Sequence, residues 1–320
     1  MANSNLIPLG ARPIERAAHR RTDTAWLDAA TTSDDVLIFL MQGGMPLLEG
    51  PSSGVTPRPG DRVDGGIRPL LWLGPEALKL SEQTRTIFMG EDKNGSPIFA
   101  LDMPESFSLD GSMIEGLGAF EDMRAASTWL SLLESNLAST ARSMLMWHDT
   151  HMFCSRCGDA SVMAEAGWKR QCSTCKAEHF PRTDPVAIMV VEKDDKCLLG
   201  RQKMWPQGFW SCLAGFCEPG ETIEQAACRE VFEEAGIEAD PANVEYIACQ
   251  PWPFPSSLMV GVIVKAETED ISIDENELEA ARWITRAEAR DVLAGTHPDI
   301  MPWPDIAVAH HILKEWAERD

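Results

Sequence analysis

Apolar positions fall into three stretches with different rhythms. After a polar lead of about 25 residues, expected to be mobile, short apolar runs appear at 36–41 (VLIFLM) and 70–73. Residues 86–103 read as a hairpin: TIFMG and PIFALDM flank Asn94-Gly95, a dipeptide that favours a tight primed turn. Over 120–147, Leu130, Leu133, Leu137, Ala141 and Leu145 recur at three- and four-residue steps, which predicts a helix. Farther on, 186–191, 197–201, 244–250 and 258–265 read as strands, and 222–235, 286–293 and 304–319 as helices. The expected organisation is an N-terminal mixed α/β domain (1–150), a small cysteine module (151–180) and an α+β domain (181–320). The first of these is expected to be scaffold or dimer surface. No run approaches the length of a membrane span, and the first residues lack a signal-like apolar stretch.

Composition narrows the function. The chain has 320 residues, 44% of them hydrophobic, and a net charge of −22. Such a field disfavours general polyanion binding, so an anionic substrate needs local help, and divalent metal ions are the obvious helpers. All nine cysteines lie at or beyond Cys154. Their odd number and paired spacing predict a reducing cytoplasm and no disulfide framework.

Cys154-x2-Cys157 and Cys172-x2-Cys175 have the spacing of two knuckles that close a tetrahedron around zinc. Four thiolates leave no open position, so this zinc would be structural. His148, His151 and His179 lie nearby in the chain and are expected to be surface or packing residues. A zinc ribbon alone would suit a nucleic-acid binder as well as an enzyme.

The chemistry sits in 215–237. Gly215, Glu221 and the run Arg229-Glu230-Val231-Phe232-Glu233-Glu234-Ala235-Gly236-Ile237 fill every fixed position of the Nudix box, G-x5-E-x7-R-E-U-x-E-E-x-G-U, with U a bulky apolar residue. Thr222 and Gln225 can cap the start of a helix, and Gly236 can end it. On that helix Glu230 and Glu234 project about 40° apart, with Glu233 about 60° to the other side of Glu230. Carboxylates crowded into one wedge repel and raise one another's pKa, a cost that bound Mg²⁺ or Mn²⁺ would remove. The implied reaction is metal-assisted hydrolysis of a diphosphate. By this resemblance Glu230 and Glu234 would be metal ligands, Glu233 a ligand or general base, and the Ala214 carbonyl a member of the metal shell. Arg229 and Glu221 would orient the helix.

Thirteen residues beyond the box stands Gln250-Pro251-Trp252-Pro253-Phe254-Pro255-Ser256-Ser257. Alternating prolines predict a stiff presentation loop displaying Trp252 and Phe254, whose rings suit a flat base or nicotinamide. This segment after a Nudix box, with a four-cysteine module before the box, resembles the NADH pyrophosphatase (NAD diphosphatase) branch of the Nudix hydrolases over about 120–318. The resemblance implies a Nudix α/β/α sandwich and cleavage of NAD(H) into AMP and nicotinamide mononucleotide. It also implies activity on NAD-capped RNA in some members, and a homodimer. Residue by residue, it makes Glu277 a further acidic metal ligand and Phe216 a stacking aromatic. Phe180 stands where some members have Tyr, keeping the ring and losing the hydroxyl. Ala309 aligns with a small residue near the substrate, and the whole 250–257 segment with substrate contacts. Arg124 aligns only loosely with a family Arg. Gly167 replaces an acidic contact of some members, and Cys249 a serine. Lys169, Arg170, Lys176, Arg182, Arg201 and Lys203 either track RNA phosphates or form a solvated rim. Two other readings stand beside this one. Another nucleoside diphosphate derivative such as ADP-ribose would keep the enzyme class. A zinc-ribbon binding protein with a vestigial Nudix fold would predict eroded carboxylates, which are intact.

Overall fold

A computed structural model describes residues 4–10, 14–51 and 68–319. The N-terminal unit comprises α1 (Thr24–Thr31), β1 (Leu37–Gln42), β2 (Met45–Glu49), β3 (Arg85–Glu91), β4 (Pro97–Met103), β5 (Gly118–Phe120), α2 (Met123–Trp129) and α3 (Leu132–Thr150). Its sheet runs β3-β4-β1-β2-β5. Phe39, Ile87 and Ala100 pack with Leu137, Ala141 and Leu145 of α3 in one buried cluster. The ribbon is three short strands, β6 (Ser161–Ala164), β7 (Lys169–Cys172) and β8 (Glu178–His179).

The C-terminal unit holds β9 (Asp184–Lys193), β10 (Lys196–Arg201), β11 (Leu213–Phe216), α4 (Ile223–Ala235), β12 (Ala239–Trp252), β13 (Ser257–Ala266), β14 (Ala280–Thr285), α5 (Arg286–Ala294) and α6 (Val308–Ala317). The mixed sheet runs β12-β13-β9-β10-β14, with β11 also paired to β9. Alternation along β9 divides the layers. Ala187, Met189 and Val191 face the cluster under α4, while Ile188 and Val190 face the one that includes Trp303, Ile312 and Trp316. The result is the expected α/β/α sandwich.

Four expectations need correction. The helix expected over 120–147 is two helices. Leu130 takes an extended conformation, and Ser131 restarts the chain with a capping box to Glu134. The 86–103 hairpin forms, but its turn is not a tight primed one, since only Gly95 has positive φ there. Asp92 instead accepts hydrogen bonds from the backbone N–H groups of Asn94 and Ser96, organising a longer loop. The lead, part of which (1–3 and 11–13) lies outside the described residues, is packed in places where it is described. Ile7 and Leu9 are fully buried, and Asn136 donates to the Leu9 carbonyl. Finally, the 250–257 segment is not simply a loop. Gln250–Trp252 end β12 and Ser257 opens β13, leaving 253–256 as a hairpin turn. β12 is an edge strand, where Pro251 costs no ladder bond on its outer side.

Candidate active site

Helix α4 is built as its sequence implies. Thr222 and Gln225 form a reciprocal capping box, and Gly236, at φ 70°, ends the helix in the left-handed region. Arg229 organises the exposed side. It grips both oxygens of Glu221 at 2.7 and 2.8 Å, and also donates to Glu230, to Glu233 and to the Phe216 carbonyl. The Arg229 hydrogen bonds hold Glu221 down at about 2.

Glu230 and Glu234 point to a common spot, and Glu277 reaches it from the loop before β14. One oxygen from each lies within 4.8 Å of the others. The loop is tied to the helix end, because Asp274 N–H donates to the Glu234 carbonyl and Glu277 N–H to that of Asp274. Gly215 explains its own place in the box: a Cβ there would collide with the Glu230 carboxylate. Burial, then the charges of Glu230 and Glu277, push Glu234 up to about 8, while a backbone hydrogen bond from Ala214 opposes the rise. Burial also raises Glu230, against the pull of Arg229. The sequence reading placed repulsion first; desolvation is the larger cause. Glu233 departs from the expected wedge. It is paired with Arg229, half-exposed, and outside the trio. A cleft of about 540 Å³ opens over the trio, lined by Ala214, Phe216, Lys203, Met204 and Asn276 among others.

In the ribbon, the four cysteine sulfurs also lie within 4.8 Å of one another, with Cys154–Cys175 at 3.6 Å and Cys157–Cys172 at 3.4 Å. A zinc tetrahedron with sulfur at about 2.3 Å has edges of about 3.8 Å, so the four thiols fit that ion. Backbone N–H groups of Cys175 and Thr174 pull the Cys172 thiol to about 6 despite desolvation, favouring the thiolate a metal needs. His179 packs against the cluster, its Nε2 3.3 Å from Cys154 Sγ. His148 is buried between the Gly167 carbonyl and Arg170, and burial holds it neutral at about 4.

The 250–257 hairpin divides its residues between two jobs. Gln250 is fully buried; it lines the apolar pocket beside Trp252 and also spends its amide on the fold. Its amide donates to the carbonyls of Pro8 (2.7 Å) and Ile306 (2.6 Å) and accepts from Val308 N–H (2.8 Å). It thereby caps α6, whose N-cap residue Ala307 has no side chain able to do so. Phe254 lies under the guanidinium groups of Arg124 and Arg142, and Arg142 ties the hairpin to the N-terminal unit by donating to the Pro253 and Gly44 carbonyls. Ser256 bonds Asp184, and Ser257 pairs with it across the sheet. Trp252 meets Phe254 edge-to-face at 5.1 Å and lines a mostly apolar pocket of about 350 Å³ with Ala309, Met259 and Arg124. This pocket begins at Ile188, the cross-strand partner of Ala214 in the carboxylate cleft. Phe216 and Phe180 are both largely exposed; Phe216 lines the carboxylate cleft, and Phe180 lines neither cavity.

Three family descriptions match in succession: an NADH pyrophosphatase-like rudimentary NUDIX domain over 36–147, an NADH pyrophosphatase zinc ribbon domain over 149–180, and a NUDIX domain over 181–304. The human mitochondrial NAD(P)H pyrophosphatase NUDT13 is 36% identical over 267 residues, covering 77% of this chain and 74% of its own. This chain belongs to the NADH pyrophosphatase branch of the Nudix hydrolases. An NAD-capped RNA hydrolase of Schizosaccharomyces pombe is 33% identical over 73% of this chain and 70% of its own. The human NAD-capped RNA hydrolase NUDT12 is 47% identical over 57% of this chain, and the chain matches 42% of that protein's length.

Membership implies a divalent metal, and the site suits one. Three carboxylates converge on a space that Gly215 keeps open, and Glu234 is strained by burial in a way a cation would relieve. Sequence reasoning raised Arg124 only as a loose match to a family Arg and Lys203 only as a phosphate-tracking or rim cation, and it did not find Met204 and Asn276 in the cleft. No motif flagged these last two, because the fold brings them in from separate segments. Among the described residues, no helix is long and apolar enough to cross a membrane.

Proposed function

We propose that this protein hydrolyses the pyrophosphate bond of NAD(H) to AMP and nicotinamide mononucleotide, and that the same site removes NAD caps from RNA 5′ ends. The observation that carries the reading is the convergence of Glu230, Glu234 and Glu277 beneath a cleft walled by Phe216. These three, with the Ala214 carbonyl, would hold Mg²⁺ or Mn²⁺. The bound metal would neutralise the diphosphate and activate water. Arg229 keeps Glu230 in place, and Glu233, paired with Arg229 at the rim, is the remaining base candidate of the box. Phe216 offers a ring face to a base, and Trp252 with Ala309 shapes the apolar pocket next to the cleft. Two cations line the cleft among the described residues: Arg229, engaged by the box glutamates, and Lys203, whose ammonium is tethered to the Glu275 carbonyl.

Phe180, exposed and lining neither cavity, is in keeping with a homodimer in which this ring completes a partner's site. Nine cysteines without a disulfide support the cytoplasm as the compartment. The test is the purified protein with Mg²⁺ or Mn²⁺, given NADH, NAD, ADP-ribose and NAD-capped RNA in parallel, with products separated by chromatography. AMP and nicotinamide mononucleotide from NADH are expected. Cleavage of ADP-ribose alone would replace this substrate with another nucleoside diphosphate derivative.

A further inference from the structure

A third cavity, of about 240 Å³, lies behind the 250–257 hairpin, where α3, the ribbon and the start of the Nudix domain meet. It has no part in the carboxylate cleft and shares only Trp252 with the apolar pocket. Its walls carry an excess of hydrogen-bond donors. Arg16 is half-buried and stacks on Trp168 at 5.0 Å, yet among the described residues its guanidinium has neither a carboxylate nor a hydrogen-bond acceptor. Desolvation alone lowers its pKa, the mark of a cation whose burial no anion offsets. The hydroxyls of Thr140, Thr183 and Ser257 also have no partner among the described residues. Other polar walls are already engaged: Asn136 bonds Leu9, Ser139 bonds Asn136, and Ser256 bonds Asp184. Arg182 is neutralised by Asp184 at 3.0 Å, so among the described residues the cavity keeps one uncompensated positive charge.

We propose that this cavity is a binding site for a small phosphate monoester of the sugar-phosphate class. The phosphate would pair with Arg16, which presents a forked set of donors, and the hydroxyls would take the remaining oxygens. The volume falls below the about 300–1,000 Å³ typical of drug-sized ligand sites, so the occupant is small. Trp168 and Trp252 would flank the sugar. Because Pro251, Trp252, Ser256 and Ser257 form one wall, an occupant would brace the hairpin that shapes the apolar pocket. That consequence rests on the proposed NAD(H) reading; the binding itself does not.

The test is calorimetric titration of the full-length protein, zinc-loaded and without added Mg²⁺ or Mn²⁺, with ribose 5-phosphate, and with ribose as the uncharged control. No substrate is present, so the result is independent of hydrolysis. One site per chain is expected for ribose 5-phosphate and none for ribose. Arg16→Gln should weaken binding about tenfold or more, and Thr140→Val, which keeps the side-chain shape, should weaken it measurably. If Arg16→Gln fails to fold, Thr140→Val and Thr183→Val carry the test. Equal affinity in the parent and the folded variants, or no binding by the parent at millimolar ligand, would overturn the proposal.

Discussion

Gln250 belongs to a sequence segment that resemblance assigns to substrate contact, yet the structure spends its side chain on the fold. Gln250→Met separates the two roles, because Met nearly preserves length and volume while deleting the amide. The substitution leaves Val308 N–H, buried at the start of α6, without an acceptor, and the Pro8 and Ile306 carbonyls without a donor. An unsatisfied buried donor costs about 1–3 kcal/mol, and each of the two other lost hydrogen bonds a further ~0.5–1.5 kcal/mol, so about 2–6 kcal/mol of stability should go. Little of that should come from a cavity, given the matched volume. Urea unfolding followed by tryptophan fluorescence is a suitable assay, since Trp303 and Trp316 sit in the core that α6 completes. The unfolding midpoint should fall, and KM for NADH in the still-folded protein should stay near that of the parent. An unchanged midpoint with a KM raised about tenfold (~1.4 kcal/mol) would refute the structural assignment and return Gln250 to the substrate.

Further outcomes follow from the same geometry. Trp252→Ala should lower kcat/KM for NADH about tenfold or more, ~1.4 kcal/mol of recognition, while zinc content and far-ultraviolet circular dichroism match the parent; an unaltered kcat/KM would remove the ring from recognition. Glu234 titrates near 8 when folded and near 4.5 ordinarily, so the metal-free fold holds this proton more tightly than the unfolded chain does. Its contribution to stability is therefore full below about 4.5 and is lost as pH rises toward 8, which denaturant titrations of metal-free protein across that window can read. The cation competes with the same proton, so Mn²⁺ affinity should climb about tenfold per pH unit below 8, and a pH-independent affinity would contradict the assignment. Cys172→Ser should lose the single zinc, measured by a colorimetric indicator, and open the ribbon to protease; full retention of zinc would show that the four thiols are not its ligands.

Much of this was legible in the sequence because it is local. The capping box of α4, its terminal glycine and the four-residue spacing of Glu230 and Glu234 are encoded within one turn or two of themselves. The four cysteines are likewise two local pairs. What the sequence hid is non-local or conditional. Glu233 carries the same side chain as its neighbours, but Arg229 one turn earlier claims it and takes it out of the cluster. The break at Leu130 was written in Ser131 and Glu134, yet the apolar rhythm runs straight through it. The role of Gln250 depends on Ala307, 57 residues away, being unable to cap its own helix, and on a lead whose polar composition concealed the buried Ile7 and Leu9. Strands β11 and β14 are short and only partly buried, so neither alternation nor an apolar run announced them.

The claim that the carboxylate trio is the catalytic metal site is tested most directly by the turnover of NADH by Glu234→Gln at saturating Mn²⁺, with fold and zinc content verified in the same preparation. The amide keeps the shape, removes the charge, and cannot replace a carboxylate ligand to a hard cation. Loss of most turnover, with AMP and nicotinamide mononucleotide formed only by the parent protein, is the predicted result. Hydrolysis at the parent rate would contradict it.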